Sequence, residues 1–122
     1  MLQLENVTVR FGGLTAVNDV TLAVGTGDLV GLVGANGAGK TTLFNAISGL
    51  VRPTTGRILF NGADVLKAPM YQRARMGIGR TFQIPQPMHE LTVRQNLPVA
   101  QRVGTGRIDE RRIDEVLDFT GL

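Results

Sequence analysis

The sequence contains no cysteine and no tryptophan, and it has a single tyrosine. Without cysteine the chain forms neither disulfides nor thiolate metal sites, which is compatible with a reducing cytosol. Aromatic residues make up only 5% of the chain, so its core must be aliphatic. Apolar residues nevertheless make up 43% of the 122 residues, which suffices for the core of one modest domain.

Long apolar runs and an excess of one charge are also missing. No run approaches the roughly 20 residues of a membrane-spanning helix, and residues 1–5 lack the features of a signal peptide. We therefore expect a protein that is soluble or docked on a partner from the aqueous side. The net charge of +3 comes from scattered basic residues. Even the pairs Arg73/Arg75 and Arg111/Arg112 are interpreted as solvated, and no nucleic-acid partner is predicted.

Alternation of apolar and polar residues in the first half of the chain predicts β-strands. Residues 2–11 form the first predicted strand, with one irregularity near Asn6, and residues 20–24 form the second. The nearly continuous apolar run at 29–33 is typical of a strand covered on both faces. Two more strands are predicted, at 57–61 and 77–82.

Helical periodicity begins at Lys40 and dominates the end of the chain. Helices are predicted at 40–50, 68–75, 92–102 and 109–119. Thr92 is a candidate N-cap of the third helix, and Pro98 is a candidate kink in it. Because Pro85 and Pro87 favour an extended connector, we predict a boundary between a β-rich part, 1–87, and a helical part, 88–122.

A glycine-rich loop lies between the third predicted strand and the first helix. Residues 34–41, G-A-N-G-A-G-K-T, fit the phosphate-binding pattern G-x-x-x-x-G-K-[ST]. Glycines let backbone N–H groups approach an anion closely, and the helix that follows adds a partial positive end. Lys40 supplies a full positive charge, the Thr41 hydroxyl is an oxygen donor of the kind Mg²⁺ prefers, and Thr42 can donate to a phosphate.

Three stretches of the sequence, one of which contains this loop, resemble those of a known protein family. They are VRFGGLTAVNDV at 9–20, the loop with its helix and next strand at 31–62, and GIGRTFQIPQPMHELTVRQNL at 77–97. Together they resemble the nucleotide-binding subunits of ABC transporters, most of all those of branched-chain amino acid uptake systems. The resemblance is close up to about residue 103. It implies an α/β fold: a P-loop NTPase core with an N-terminal antiparallel β subdomain at 1–87, and the start of a helical subdomain at 88–122.

The resemblance also assigns roles to individual residues. Phe11 would stack on adenine, although the residue pattern alone also allows a core phenylalanine at a strand end. Val17 would pack beside the ribose and base. Gln83 would reach Mg²⁺ or the attacking water, and with Lys40 it is the implied catalytic pair, while Thr41 and Gln83 are the implied metal ligands. The implied phosphate-binding residues are Gly34, Asn36, Gly37, Ala38, Gly39, Lys40, Thr41 and Thr42.

The implied cofactors are ATP and Mg²⁺, and the implied partners are proteins of the same transporter. A second ATP-binding subunit would complete a dimer. Transmembrane permease subunits would contact residues 84–96, which follow Gln83. The resemblance therefore implies a peripheral protein at the cytoplasmic face of the membrane, which couples ATP binding and hydrolysis to import.

Three motifs that hydrolysis requires in this family are not found. They are an apolar strand ending in Asp-Glu, the sequence L-S-G-G-Q and a switch histidine. The pairs Asp109-Glu110 and Asp114-Glu115 each follow Arg-Ile in the last predicted helix and are interpreted as solvated charges. The one histidine, His89, is interpreted as a surface connector residue. We therefore expect the N-terminal portion of a subunit, which binds nucleotide without efficient hydrolysis, and its status as an enzyme stays open.

Two other classes of function stay open on the residues alone. One is a different P-loop protein, a GTPase or small-molecule kinase, although the guanine-reading sequence N-K-x-D is absent. The other is a non-enzymatic nucleotide-binding or assembly module. If the chain is the N-terminal half of such a subunit, the central parallel sheet lacks the strands of the second half, and the strand predicted at 29–33 keeps one face or edge uncovered. We expect such a chain to be marginally stable or to self-associate.

Overall fold

The computed structural model describes the whole chain, Met1–Leu122. The chain divides into two compact units, Met1–Met70 and Tyr71–Leu122. The first unit holds the sheet and the glycine-rich loop, and the second is helical. The functional division predicted at residue 87 stays a prediction.

A four-stranded antiparallel sheet forms the first unit, with the strand order β2-β1-β3-β4. One helix, α1, follows the glycine-rich loop and packs on β2. The elements are β1 (Leu2–Phe11), β2 (Leu14–Val24), α1 (Lys40–Ser48), β3 (Thr55–Phe60) and β4 (Ala63–Asp64). The predicted antiparallel β subdomain is thus confirmed, and β2 begins six residues earlier than predicted.

The irregularity predicted near Asn6 is a bulge in β1. The pairing of β1 with β2 shifts between Leu4 and Val7, and Asn6 itself has a left-handed backbone with φ 50°. Its side-chain amide donates to the Asp19 carboxylate at 2.9 Å, across the sheet. Asparagine tolerates this conformation better than most residues, so the bulge bends β1 without a glycine.

The core of this unit is aliphatic, as the composition predicts. It lies between the sheet and α1, whose inward face contributes Leu43 and Ala46. Burying these side chains is the main force that holds the helix on the sheet, because a nine-residue helix is marginal in isolation. The buried members of the cluster are Leu4, Val7, Val9, Val17, Leu43, Ala46, Ile58 and Val65.

Two predicted strands are wrong. Residues 29–33 form no strand, because none of the four strands lies beside them to pair with their backbone groups. Residues 77–82 are irregular as well. There the N–H groups of Gly77 and Ile78 instead donate to the carbonyls of Ala74 and Arg73, which closes the end of a helix.

The helices of the second unit match three predictions to within a few residues. They are α2 (Met70–Met76), α3 (Val93–Thr105) and α4 (Glu110–Thr120). Thr92 is the N-cap of α3, as predicted, and Pro98 lies inside the helix without ending it. The longest of the chain's helices has 13 residues, and none has the length and hydropathy needed to cross a bilayer.

Arg73 corrects one prediction about charge. It was expected to be solvated, but its residue surface is only 2% exposed. Arg75 is exposed and lies over the Tyr71 ring, 5.7 Å from its centroid. Two residues are separated by about 200° around an α-helix, so α2 turns one arginine inward and the other outward.

Polar contacts join α3 to α4. The Arg94 guanidinium bonds to Asp114 at 2.6 Å and to Glu110 at 3.0 Å. Asp114 first, and then Glu110, raise the pKa of Arg94 above its ordinary value by stabilising the cation. The Gln101 side-chain amide donates to the Asp109 carbonyl and accepts from the Asp109 N–H. Asp109 in turn is the N-cap of α4. Both Asp-Glu pairs of the sequence therefore lie on α4 or its cap.

We predict that Thr92→Ala weakens the start of α3. The Thr92 hydroxyl accepts from the Gln95 N–H, and the Gln95 side chain accepts from the Thr92 N–H, so the change removes half of a reciprocal cap. The expected cost is about 1 kcal/mol of local stability. Hydrogen exchange at the Gln95 amide measures it, with Thr92→Ser as the matched control that keeps the hydroxyl. Equal protection in the alanine and serine variants would contradict the prediction.

Candidate functional site

The glycine-rich loop ends at the start of α1 with free backbone donors. Gly39 is the N-cap, with φ 94°, and no side chain caps the helix. The first backbone bond of the helix joins the Leu43 N–H to the Gly39 carbonyl at 2.9 Å. The N–H groups of Lys40, Thr41 and Thr42 therefore precede the helical ladder, as the first donors of any helix do. Since the first turn holds no acidic residue, this end of α1 favours an anion.

Gly39 is required because β2 approaches the loop very closely. A Cβ atom built on Gly39 would lie 2.1 Å from the carbonyl oxygen of Ala16, a distance that no side chain can occupy. The positive φ of Gly39 also disfavours any other residue. This contact brings the start of β2 against the glycine-rich loop and so places two separate sequence segments at one site.

The two segments line one cleft of about 320 Å³. One wall is the end of the β1–β2 hairpin, where Phe11 pairs with Leu14 and remains 50% exposed. The alternative of a core phenylalanine is therefore wrong. The other wall is the loop and the first turn of α1. The lining residues are Phe11, Leu14, Thr15, Ala16, Asn36, Gly37, Gly39, Lys40, Thr41 and Thr42.

Four predicted site residues lie outside the lining of this cleft: Val17, Gly34, Ala38 and Gln83. Val17 is buried in the core, with 5% of its surface exposed, and lines a neighbouring apolar cavity of about 140 Å³ together with Ala38. Gly34 lies next to Lys40, and its carbonyl accepts a hydrogen bond from the Lys40 ammonium. The Lys40 ammonium is thus held against its own loop and is part-buried, and Lys40 also lines the cleft.

Gln83 lies in the second unit, in the irregular stretch between α2 and α3, and it is exposed. Arg80, three residues earlier, lies over the ring of Phe82, 4.7 Å from its centroid. The role implied for Gln83 stays a prediction.

Leu14, Thr15 and Ala16 line the cleft although the sequence interpretation assigned them no role. The signal was present in the pair Gly12-Gly13. A two-residue turn containing glycine with positive φ sends the chain directly back along the strand it has left. The residues that follow such a turn must lie beside those that precede it. Once Phe11 was assigned to the site, its neighbours Leu14, Thr15 and Ala16 could therefore have been predicted to lie there too.

The cleft combines an apolar wall with a wall of backbone donors and one ammonium group. An apolar surface with an exposed aromatic ring accepts a flat ring by stacking. Inward N–H groups, a helix start and a lysine accept an anion with several oxygens. Together they suit a ligand that has a flat ring at one end and phosphates at the other.

Comparison with known proteins shows to which family the chain belongs. The sequence profile of the ABC transporter family matches residues 17–122. The chain belongs to this family. Among curated relatives, the high-affinity branched-chain amino acid transport ATP-binding protein LivG of Escherichia coli K12 is 46% identical over 101 residues, which are 83% of this ABC chain and 40% of LivG. The probable LivG of Archaeoglobus fulgidus is 43% identical over 100 residues, 82% of this chain and 39% of that protein.

Solved structures confirm the predicted α/β fold. An ATP-binding subunit of an ABC transporter superposes with a TM-score of 0.85 at 30% identity, over 97% of this chain and 49% of that one. An ABC transporter cassette in its ADP conformation gives a TM-score of 0.79 at 31% identity, over 98% and 53%. The chain spans about two fifths of the length of the curated relatives it matches.

We predict that Gly39→Ala destroys the site whereas Gly37→Ala only strains it. Both glycines have positive φ, so each alanine costs roughly 1–2 kcal/mol of backbone strain. Only the alanine at residue 39 also collides with the Ala16 carbonyl, since nothing lies within 4 Å of a Cβ at residue 37. Denaturant unfolding should show a clearly larger loss for Gly39→Ala, and equal losses would contradict the close approach of β2.

Proposed function

We propose that this chain binds ATP with Mg²⁺ in the cleft between the β1–β2 hairpin and the start of α1. The observation that carries the proposal is one cleft lined both by Phe11 and by the loop residues Asn36, Gly37 and 39–42. A bare phosphate needs no aromatic wall, and a bare ring needs no donor loop. A nucleotide uses both.

The loop supplies what a triphosphate requires. Backbone N–H groups at the start of α1 are uncommitted within the helix, and Gly37 leaves its side of the loop open. The Lys40 ammonium gives up its bond to the Gly34 carbonyl and takes phosphate oxygens instead. A charge-assisted bond to a phosphate is stronger than one to a neutral carbonyl, so the exchange favours the bound state.

Phe11 and Leu14 supply the wall for the base. Phe11 is half exposed at the end of β1 and is free to stack on adenine. Thr15 and Ala16 extend the wall toward the loop. Val17 supports this wall from the core, because its side chain lies under the hairpin and within 3.5 Å of a Cβ position at Gly39.

The metal ligand proposed on the loop side of the cleft is Thr41. Thr41 is exposed in the first turn of α1 and lines the cleft, and its hydroxyl is an oxygen donor of the kind Mg²⁺ takes. Mg²⁺ supplies charge neutralisation on the phosphate oxygens when it is bound. Thr41 and Lys40 orient the phosphates for that ion.

We further propose that the chain is the ATP-binding part of an importer for branched-chain amino acids. Two relatives at 43% and 46% identity carry that activity in their names. The proposed partners are a second ATP-binding subunit and permease subunits. The permease surface would be residues 84–96 at the cytoplasmic face of the membrane, where Ile84 and Met88 expose apolar side chains. A dimeric ABC cassette among the solved structures, with a TM-score of 0.80, supports the pairing.

The 122 residues are proposed to bind nucleotide without efficient hydrolysis. A water-activating carboxylate in this family follows an apolar strand. The Asp-Glu pairs of this chain are instead engaged at α4, where Asp109 caps the helix and Glu110 and Asp114 bond to Arg94. These contacts leave the two pairs in a structural role.

Nucleotide titration of two variants tests the binding proposal. Phe11→Ala should weaken ATP binding roughly tenfold, because stacking on a base is worth about 1–3 kcal/mol, and should leave tripolyphosphate binding unchanged. Lys40→Ala should weaken both ligands, because it removes the cation of the loop. Isothermal titration calorimetry with and without Mg²⁺ measures each affinity. Tripolyphosphate binding that fell equally in both variants would contradict the assignment of the two walls.

Phosphate release tests the proposal about hydrolysis. The purified chain with saturating Mg·ATP should release phosphate no faster than buffer. Lys40→Ala is the control for contaminating enzymes, since it leaves their activity in place. Turnover that is measurable in the native chain and lost in Lys40→Ala would contradict the proposal.

A further inference from the structure

The chain contains two Asn-Gly pairs, and one of them lies inside the glycine-rich loop. They are Asn36-Gly37 and Asn61-Gly62. Asparagine is a thermally labile residue, and it loses its side-chain amide fastest when glycine follows, because no Cβ shields the next backbone nitrogen. All four residues are exposed, and a Cβ built on either glycine meets no atom within 4 Å. The two pairs therefore share chemistry and access, and they differ in how the backbone is held.

The turn that contains Asn36-Gly37 is held by one backbone bond. The Ala38 N–H donates to the Ala35 carbonyl at 3.1 Å. Gly37 has φ 84°, as the third residue of a type II turn does. Neither the Asn36 side-chain amide nor the Gly37 N–H forms a hydrogen bond within the chain. The two groups that react in deamidation are therefore uncommitted in this loop.

The Asn61-Gly62 pair is held much more firmly, because it forms the two-residue turn between β3 and β4. Both residues have positive φ, 50° and 82°. Phe60 pairs with Ala63 directly across the turn, and the Asn61 N–H donates to the Met1 carbonyl at 2.7 Å. Cyclisation must bring the side chain onto the next nitrogen, so it first distorts this turn and the pairing beside it. The sheet therefore slows the reaction at Asn61.

We propose that Asn36 is the preferred site of spontaneous deamidation in this chain. The Gly37 nitrogen attacks Cγ of Asn36 and forms a five-membered succinimide ring. The bond between Cγ and the side-chain nitrogen breaks, and that nitrogen leaves as ammonia with the proton of the Gly37 N–H. Water then opens the ring at either carbonyl. The product is aspartate or, with one more carbon in the main chain, isoaspartate.

Either product changes the wall of backbone donors in the cleft. Asn36 and Lys40 both line this wall, and the new carboxylate repels phosphate oxygens and attracts the Lys40 ammonium. Isoaspartate also lengthens the loop and displaces the N–H groups that follow. Deamidation therefore lowers phosphate affinity, a consequence that rests on the proposed function. In turn, a phosphate that accepts from the Gly37 N–H slows the reaction, so a bound nucleotide protects its own site.

Peptide mapping by mass spectrometry after incubation at mildly alkaline pH tests the preferred site. Trypsin separates the two asparagines, because Lys40 and Arg57 lie between them. In the native chain Asn36 should deamidate at least roughly fivefold faster than Asn61, since only Asn61 requires local opening of the sheet. In denaturant the two should react at similar rates, which is the control for sequence effects. Equal rates in the native chain, or a faster reaction at Asn61, would overturn the proposal.

Incubation with Mg·ATP tests the link to the cleft. At ten times the Kd measured by calorimetry, about one chain in eleven is free, so deamidation of Asn36 should slow roughly tenfold while Asn61 is unaffected. ATP that binds and leaves the Asn36 rate unchanged would contradict the protection. If calorimetry detects no ATP binding, the proposed function fails, and the comparison of Asn36 with Asn61 still decides where the chain deamidates.

Two matched variants test the effect of the product on binding. Asn36→Asp and Asn61→Asp make the same change of charge at the two pairs. Asn36→Asp should weaken tripolyphosphate binding roughly tenfold, because it places a carboxylate in the wall of backbone donors. Asn61→Asp should leave binding unchanged, since residue 61 lies outside the lining of the cleft. Equal affinities of the two variants, measured by calorimetry, would contradict the loss of affinity.

Discussion

The close approach of β2 to the glycine-rich loop is the contact on which the site depends. At Gly39 only a hydrogen atom separates the loop from the Ala16 carbonyl. This contact fixes where the hairpin ends relative to the start of α1. The aromatic wall and the donor wall come from residues more than twenty positions apart, and they form one cleft because the backbones meet at this point. The proposed stacking and the proposed anion binding therefore depend on the same steric constraint.

The sheet positions that contact through its bulges. The β1–β2 pairing shifts register three times, and each shift changes which side chains face the core. The Asn6–Asp19 bond locks one of these irregularities, and the Asp19 N–H donates to the Thr8 hydroxyl beside it. The cleft is thus built on an irregular sheet, and polar side chains hold two of its three irregularities.

Local patterns predicted the parts of the fold that local interactions decide. The phosphate-type loop, the Thr92 cap and the bulge at Asn6 each depend on residues within a few positions, and their chemistry is legible in the sequence. The segments 29–33 and 77–82 were wrong as strands, because a strand exists only where another strand pairs with it. The prediction that Arg73 is solvated was wrong for a similar reason, since the burial of its side chain depends on which face of α2 packs against the fold. The residues Leu14–Ala16 were missed because their role arises from the contact at Gly39.

The Asn96 side chain gives the segment before α3 a definite shape. It accepts from the Met88 N–H at 2.8 Å and donates toward the carbonyls of Met88, Leu91 and Thr92. Pro85 and Pro87 restrict the backbone just upstream. The segment before α3 has therefore already lost much of its conformational entropy in the free chain. The permease docking proposed for residues 84–96 would therefore lose less affinity to ordering this segment, where Met88 is exposed.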